Sequence, residues 1–283
     1  MSEFKGSVSV SIVGKTNAGK STLLNALVGE KVSIISPKKQ TTRDNIVGIL
    51  NEENYQIVFV DTPGIHKTKN DLGKAMMKNV RSAMNDVDVV IYVVDATRGL
   101  DKQELENIKT KSQEVNMILV LSKIDIAGFE KTYPLIDTYS KIETLKFILP
   151  VSSLKNKNLD VLVNKLKEFL VPLKEDELMF DRETYTDKSV RFMASEIIRE
   201  KALFLLEQEI PHGIFVEINK FEEGKNLTII QADIICKKDN HKAIIIGKQG
   251  AKLKEIATQS RKDMEALLDK KVLLEVFVKS REK

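Results

Sequence analysis

The run Gly14-Lys15-Thr16-Asn17-Ala18-Gly19-Lys20-Ser21 sets two glycines, a lysine and a hydroxyl at the spacing G-x-x-x-x-G-K-S/T. Such a loop wraps so that its N–H groups, and the positive end of the helix that follows, face phosphate oxygens. Lys20 would reach the β and γ phosphates and Ser21 would ligate Mg²⁺. A second motif, Asp61-Thr62-Pro63-Gly64, supplies a carboxylate that can hold the Mg²⁺ shell from opposite the loop. Two shorter runs, Ser122-Lys123-Ile124-Asp125 and Ser152-Ser153-Leu154, add a lysine, a carboxylate and hydroxyls. The expected phosphate contacts are Gly14, Asn17, Ala18, Gly19, Lys20, Ser21 and Thr22, with Ser21 and Asp61 on the metal.

These runs are far apart in the chain, so a scaffold must bring them to one edge. Apolar stretches with strand character lie at Val8 to Val13, Ile57 to Val60, Val87 to Val94, Met117 to Leu121 and Phe147 to Val151. Helical segments alternate with them, which predicts an α/β domain with a mostly parallel sheet and helices on both faces. All four motifs then fall at C-terminal strand ends, where open α/β sheets bind ligands. After Val171-Pro172-Leu173 the order changes. The acidic stretch 174–186 reads as a linker, and beyond it Ser189 to Glu209 has helical spacing. Ile214 to Ile218 and Leu227 to Ile235 read as strands, Ala251 to Leu268 as a helix and Val272 to Val278 as a final strand. A smaller α+β unit is expected, giving a division into 1–173, 174–186 and 187–283.

Composition excludes several classes. With 283 residues, 42% hydrophobic and 30% charged, the chain is that of a soluble two-domain protein. No run approaches the roughly 20 apolar residues of a membrane span, and the first strand runs into Gly14 without a secretory pattern, so a cytoplasmic protein is expected. One cysteine, Cys236, and the scattered His66, His212 and His241 offer neither a disulfide framework nor metal-ligand spacing. The net charge of +4 is unevenly spread: Lys237 to Lys262 holds 8 basic residues against 2 acidic ones, whereas 174–233 holds 8 against 14. Gly247-Lys248-Gln249-Gly250 lies inside that basic stretch, between two helical segments. An anion-binding surface is expected there.

In motif order and spacing, residues 1–173 resemble a translation-factor-type P-loop GTPase domain. The resemblance implies GTP and GDP as ligands, with Asp125 accepting two hydrogen bonds from the guanine edge, Ser153 offering its backbone N–H to the guanine oxygen and Lys123 packing its stem on the base. The usual base motif is Asn-Lys-x-Asp. Ser122 replaces the asparagine here and is expected to be too short to span from the base to the phosphate loop. Gln40-Thr41-Thr42-Arg43 matches the first switch of the Era-like subgroup, which implies that Thr42, with Thr41 second, completes the Mg²⁺ shell. Ile65 stands where Ras-like enzymes carry the glutamine that orients water, so unaided hydrolysis should be slow. Asn17 matches the asparagine that holds K⁺ in potassium-activated members; the other reading is that it only caps the loop. Lys20, Asn17, Thr42 and Gly64 are the expected catalytic residues.

The second half has the helix, strand, strand, helix, helix, strand order of a type II KH domain, whose Gly-x-x-Gly loop clamps single-stranded RNA. Ile246, Gly247, Lys248, Gln249, Gly250 and Lys252 are the expected RNA contacts. Arg199-Glu200-Lys201 and Arg261-Lys262-Asp263-Met264 strengthen a resemblance of the whole chain to the Era family of bacterial GTPases. That resemblance implies assembly of the small ribosomal subunit through the 3′ end of its RNA, a monomer, and in some members peripheral association with the inner membrane face. Relatives usually continue for a short segment beyond the last strand, and contacts made by that segment are not expected here. The alternative is a nucleotide-gated RNA-binding scaffold with negligible turnover.

Overall fold

A computed structural model describes residues 4–35, 45–61, 87–206 and 213–281. The described residues form two compact units, the first of 4–33, 45–61 and 87–187, the second of 34–35 together with 188–206 and 213–281. In the first, six strands are ordered β2-β3-β1-β4-β5-β6: β1 Gly6–Gly14, β2 Ile46–Glu52, β3 Tyr55–Asp61, β4 Val89–Asp95, β5 Met117–Ser122 and β6 Leu145–Pro150. All pairings are parallel except β2 with β3, an antiparallel hairpin at the edge.

The central strands are near-continuous apolar runs because both faces are covered. On β4, Ile91 and Val93 turn toward one face, where Leu23, Leu24 and Leu27 of α1 (Lys20–Val28) and Leu159, Leu162 and Leu166 of α4 (Leu159–Leu166) pack. Val90, Tyr92 and Val94 turn to the other, against Ile108 of α2 (Lys102–Lys111) and Leu135 and Tyr139 of α3 (Ile124–Tyr139). The alternation of side chains along one strand thus fills two separate cores.

The stretch 174–186, expected as a linker, is instead strapped to the hairpin of β2 and β3, mainly along β2. Ile49 N–H donates to Tyr185 O at 3.0 Å, Asn51 Nδ2 to Thr184 O at 2.8 Å and Gln56 Nε2 to Phe180 O at 2.9 Å. Arg182 reaches the Glu52 and Glu53 carbonyls, and Val47 N–H meets Asp187 Oδ1 at 3.1 Å. Acidic composition marks a solvated segment, but an edge strand presents unpaired N–H and C=O groups to any backbone that passes.

In the second unit, β7 Phe215–Glu223, β8 Leu227–Cys236 and β9 Lys271–Ser280 form a sheet in which β7 runs antiparallel and β9 parallel to β8. Helix α5 (Val190–Leu205) starts at Ser189, whose Oγ accepts from Phe192 N–H. It ends at Leu205, short of the expected Glu209, because Leu206 is already extended. Helices α6 (Asp239–Ile246) and α7 (Ala251–Leu268) complete the unit. Strand β7 runs past the expected end at Ile218: it passes an irregularity between Ile218 and Lys220 and continues through charged residues that hide its alternation.

Candidate functional site

The phosphate loop joins β1 to α1. Helix α1 opens on Gly19 with no side-chain cap and no acidic residue in its first turn, so its positive end is left for an anion. Lys20, only 6% exposed, turns its ammonium onto the Gly14 and Lys15 carbonyls at 3.2 and 3.1 Å. Burial pushes it down to about 8, opposed by the nearby Asp61 charge. Asp61, fully buried at the end of β3, is pushed up by burial, opposed by Lys20 and by the Ser21 and Ser33 hydroxyls. Ser21 Oγ donates to Asp61 Oδ2 at 2.7 Å and Ser33 Oγ at 3.2 Å, while buried Oδ1 accepts nothing from the described residues. A hydroxyl beside a carboxylate oxygen left without a donor is a donor set that suits Mg²⁺, a hard cation bound through oxygen. Ser33 carried no sequence signal.

The expected base motif follows β5 and β6. Ser152 Oγ donates to Asp125 Oδ1 at 2.7 Å, which leaves Oδ2 for a base edge. Ser153 makes no hydrogen bond from its backbone N–H to a described residue. Leu154 is 71% exposed. Lys123 Nζ meets Asn17 O and Asp95 Oδ2, each at 2.7 Å. Of the span expected to be too long for Ser122, the loop side is on view. The buried Ser122 hydroxyl does reach the phosphate loop, 2.6 Å from Ala18 O and 3.1 Å from Val94 O, because β5 brings its Cα close to the loop. The loop brace is kept, and the hydroxyl is spent on it. Asp95, unflagged in the sequence, ends β4 at the same edge as the flagged motifs. Lys15 pairs with Asp101 at 2.5 Å and Glu104 at 3.2 Å. Thr41, Thr42, Gly64 and Ile65 lie outside the described residues.

The second candidate site is the turn between α6 and α7. Gly247 has φ 72° and ψ 177°, and a Cβ there would stand 2.7 Å from Lys252 Cβ, so the turn admits only glycine. Gly250 has φ 77° with nothing within 4 Å of a Cβ position, an open approach for a phosphate. Ile246 ends α6 half-buried, and Lys248 and Gln249 are exposed. None of Lys242, Lys248, Lys252 and Lys254 forms an ion pair with a described residue.

Residues 9–123 match the family described as "50S ribosome-binding GTPase" and residues 209–283 the KH domain family. GTPase Era of Clostridium botulinum (strain Hall) is 45% identical over 275 residues, 96% of this chain and 92% of that protein. The chain belongs to the Era family of GTPases. GTPase Era of Clostridium kluyveri is likewise 45% identical, across 95% of this chain and 92% of its own length. Among solved structures, Era with MgGDPNP and nucleotides 1506–1542 of 16S ribosomal RNA superposes with a TM-score of 0.90 at 41% identity, covering 98% of this chain and 94% of that one. A single-site variant of Aquifex aeolicus Era bound to GDP·AlF₄⁻ gives 0.90 at 40% identity, over 97% and 94%. An Era-type P-loop GTPase domain followed by a KH domain is therefore the architecture of this chain, and GTP hydrolysis is its activity. No helix among the described residues is long and apolar enough to cross a membrane.

Proposed function

We propose that this chain couples a slow GTPase cycle to binding of single-stranded small-subunit ribosomal RNA near its 3′ end, in assembly of that subunit. The observation that carries the reading is the pairing, in one chain, of a phosphate cradle with an open Gly-x-x-Gly turn, matched over nearly its full length by an Era solved with both kinds of ligand. The GTPase family's description names the large subunit, but that match covers only residues 9–123, whereas the RNA-bound Era covers 98% of the chain.

In this reading Gly14, Asn17, Ala18, Gly19, Lys20, Ser21 and Thr22 hold the phosphates, and Asp125 with Ser152, Ser153 and Leu154 holds guanine. Ser21 and Asp61 hold Mg²⁺, with Thr42 completing the shell. Bound Mg²⁺ supplies positive charge beside the β and γ phosphate oxygens. Lys20, parked on two carbonyls, moves onto those oxygens, whose negative charge favours its ammonium form. Gly64 is assigned to the γ phosphate side. With Ile65 in place of a water-orienting glutamine, Lys20 is the side chain left to meet charge on the transferring group, and Asn17 would hold a K⁺ that adds positive charge there beside Mg²⁺. RNA lies over Ile246 to Gly250 and Lys252. The protein is read as a cytoplasmic monomer, and sedimentation with anionic vesicles tests peripheral membrane association. Multiple-turnover phosphate release with and without an RNA of 16S 3′-end sequence tests the whole; turnover no faster than in buffer alone supports the scaffold alternative.

A further inference from the structure

We propose that Asp95 is a positioning residue for nucleotide binding: it seats the Lys123 ammonium on the phosphate loop and so joins the base motif and that loop into one rigid piece. The inference rests on the nucleotide reading above and adds a residue that touches no nucleotide itself.

The ends of β4 and β5 are paired with Asp95 opposite Ser122. From β5, consecutive side chains reach neighbouring carbonyls of the phosphate loop, Ser122 Oγ to Ala18 O and Lys123 Nζ to Asn17 O. From β4, Val94 O stands 3.1 Å from that hydroxyl, whose one proton the shorter contact to Ala18 O takes, and Asp95 Oδ2 accepts from the ammonium. A lysine head is a freely rotating point charge on a four-carbon stem, so one carbonyl does not fix it. Asp95 fixes it because the carboxylate is itself locked. It is 6% exposed, and its Oδ1 accepts from Thr97 N–H at 3.0 Å and Thr97 Oγ1 at 2.6 Å. That leaves Oδ2 aimed at Lys123, with Arg98 Nε 3.2 Å away on an exposed side chain. Burial pushes the Asp95 carboxyl up, but the hydrogen bonds from Lys123 and Thr97 outweigh it and hold it below its ordinary value. Both residues joined by the ammonium, Asn17 and Lys123, have left-handed backbones, φ 62° and 59°. Non-glycine residues hold that conformation at a cost that surrounding contacts must meet.

The test is dissociation of a fluorescent mant-GDP from the full chain, measured for the parent, Asp95→Asn, Lys123→Ala and the double variant, with melting temperature as a check on folding. Each single change should speed dissociation on the order of tenfold, as expected for a buried charge-assisted hydrogen bond. The double variant should dissociate no faster than Lys123→Ala, because Asp95 acts through the ammonium. A purely structural Asp95 would add its own penalty in the Lys123→Ala background, and that additivity overturns the proposal, as does a parent-like rate in Asp95→Asn. Should Asp95→Asn not fold, Thr97→Val unlocks the carboxylate without removing it. A faster rate that depends on Lys123 then supports the proposal, and an unchanged rate overturns it. Failure of the parent itself to bind mant-GDP overturns the nucleotide reading along with this one.

Discussion

Gly250→Asp is the sharpest test of the RNA surface. Gly247 cannot serve, since a Cβ there meets both Cβ and backbone N of Lys252 at 2.7 and 3.1 Å and the turn itself would give way. At Gly250 a Cβ meets nothing within 4 Å, so the cost is that of a left-handed backbone, about 1 kcal/mol and least for Asp and Asn. Gly250→Asn carries that same backbone cost and nearly the same bulk, so the ratio of the two variants isolates charge. A carboxylate about 4 Å from an RNA phosphate is repelled by ~1 kcal/mol in bulk water and ~4 kcal/mol at a surface dielectric of about 20. Binding by Gly250→Asp should therefore be about five- to several-hundredfold weaker than by Gly250→Asn, with the gap shrinking as salt rises. The assay is fluorescence anisotropy of a labelled single-stranded 16S 3′-end RNA over a salt series, with GTP hydrolysis and melting temperature confirming that both variants fold. Equal RNA affinity of two folded variants would refute the reasoning and reduce Lys237 to Lys262 to a solvated helix face.

Asp125→Asn should lose GTP affinity and gain xanthosine triphosphate affinity, because Ser152 occupies Oδ1 and the exchange falls on the other carboxylate position; an unchanged GTP preference puts base reading elsewhere. Ser122→Ala leaves the Ala18 carbonyl without its donor at a buried site, a loss of about 1–3 kcal/mol, so GDP should dissociate about tenfold faster or more. A parent-like rate would show that the brace is idle. Phosphate release should be faster in K⁺ than in Na⁺, and Asn17→Ala should erase the difference; equal parent rates in the two salts exclude the K⁺ reading. Because the Asp95 carboxyl is held below its ordinary value, its contribution to stability is present above the unfolded carboxylate range and lost as pH falls through the lowered folded value. Melting temperatures of parent and Asp95→Asn should differ at neutral pH and converge in acid, and a gap independent of pH counts against that linkage.

The parallel strands were legible because they are doubly buried and read as short apolar runs: Met117 to Leu121 was expected, and β5 is Met117–Ser122. Ala251 to Leu268 was legible to the residue, bounded by a glycine turn before and Asp269 in a left-handed conformation after. What the sequence did not show depends on distance through space. The reach of Ser122 is set by how near β5 passes the phosphate loop, not by serine's length alone. Asp95 carries no motif of its own, and its role depends on pairing opposite Ser122. The strap on β2 is held mostly through backbone carbonyls, which every residue owns and no composition reports.

That strap bears on where the chain can be cut. A fragment ending at residue 173 would strip the cover from β2, leaving the Ile49 N–H and the Asn51 side-chain amide without their acceptors, while Gln56 Nε2 keeps only Asn51 Oδ1. The hairpin edge would then be an open template for another chain, the usual origin of insoluble fragments and spurious dimers. Ending at Asp187 retains the cover and the last contact, from Val47 N–H to the Asp187 carboxylate. The stretch that looks most dispensable by composition is thus what keeps an isolated GTPase unit from recruiting a neighbour's backbone.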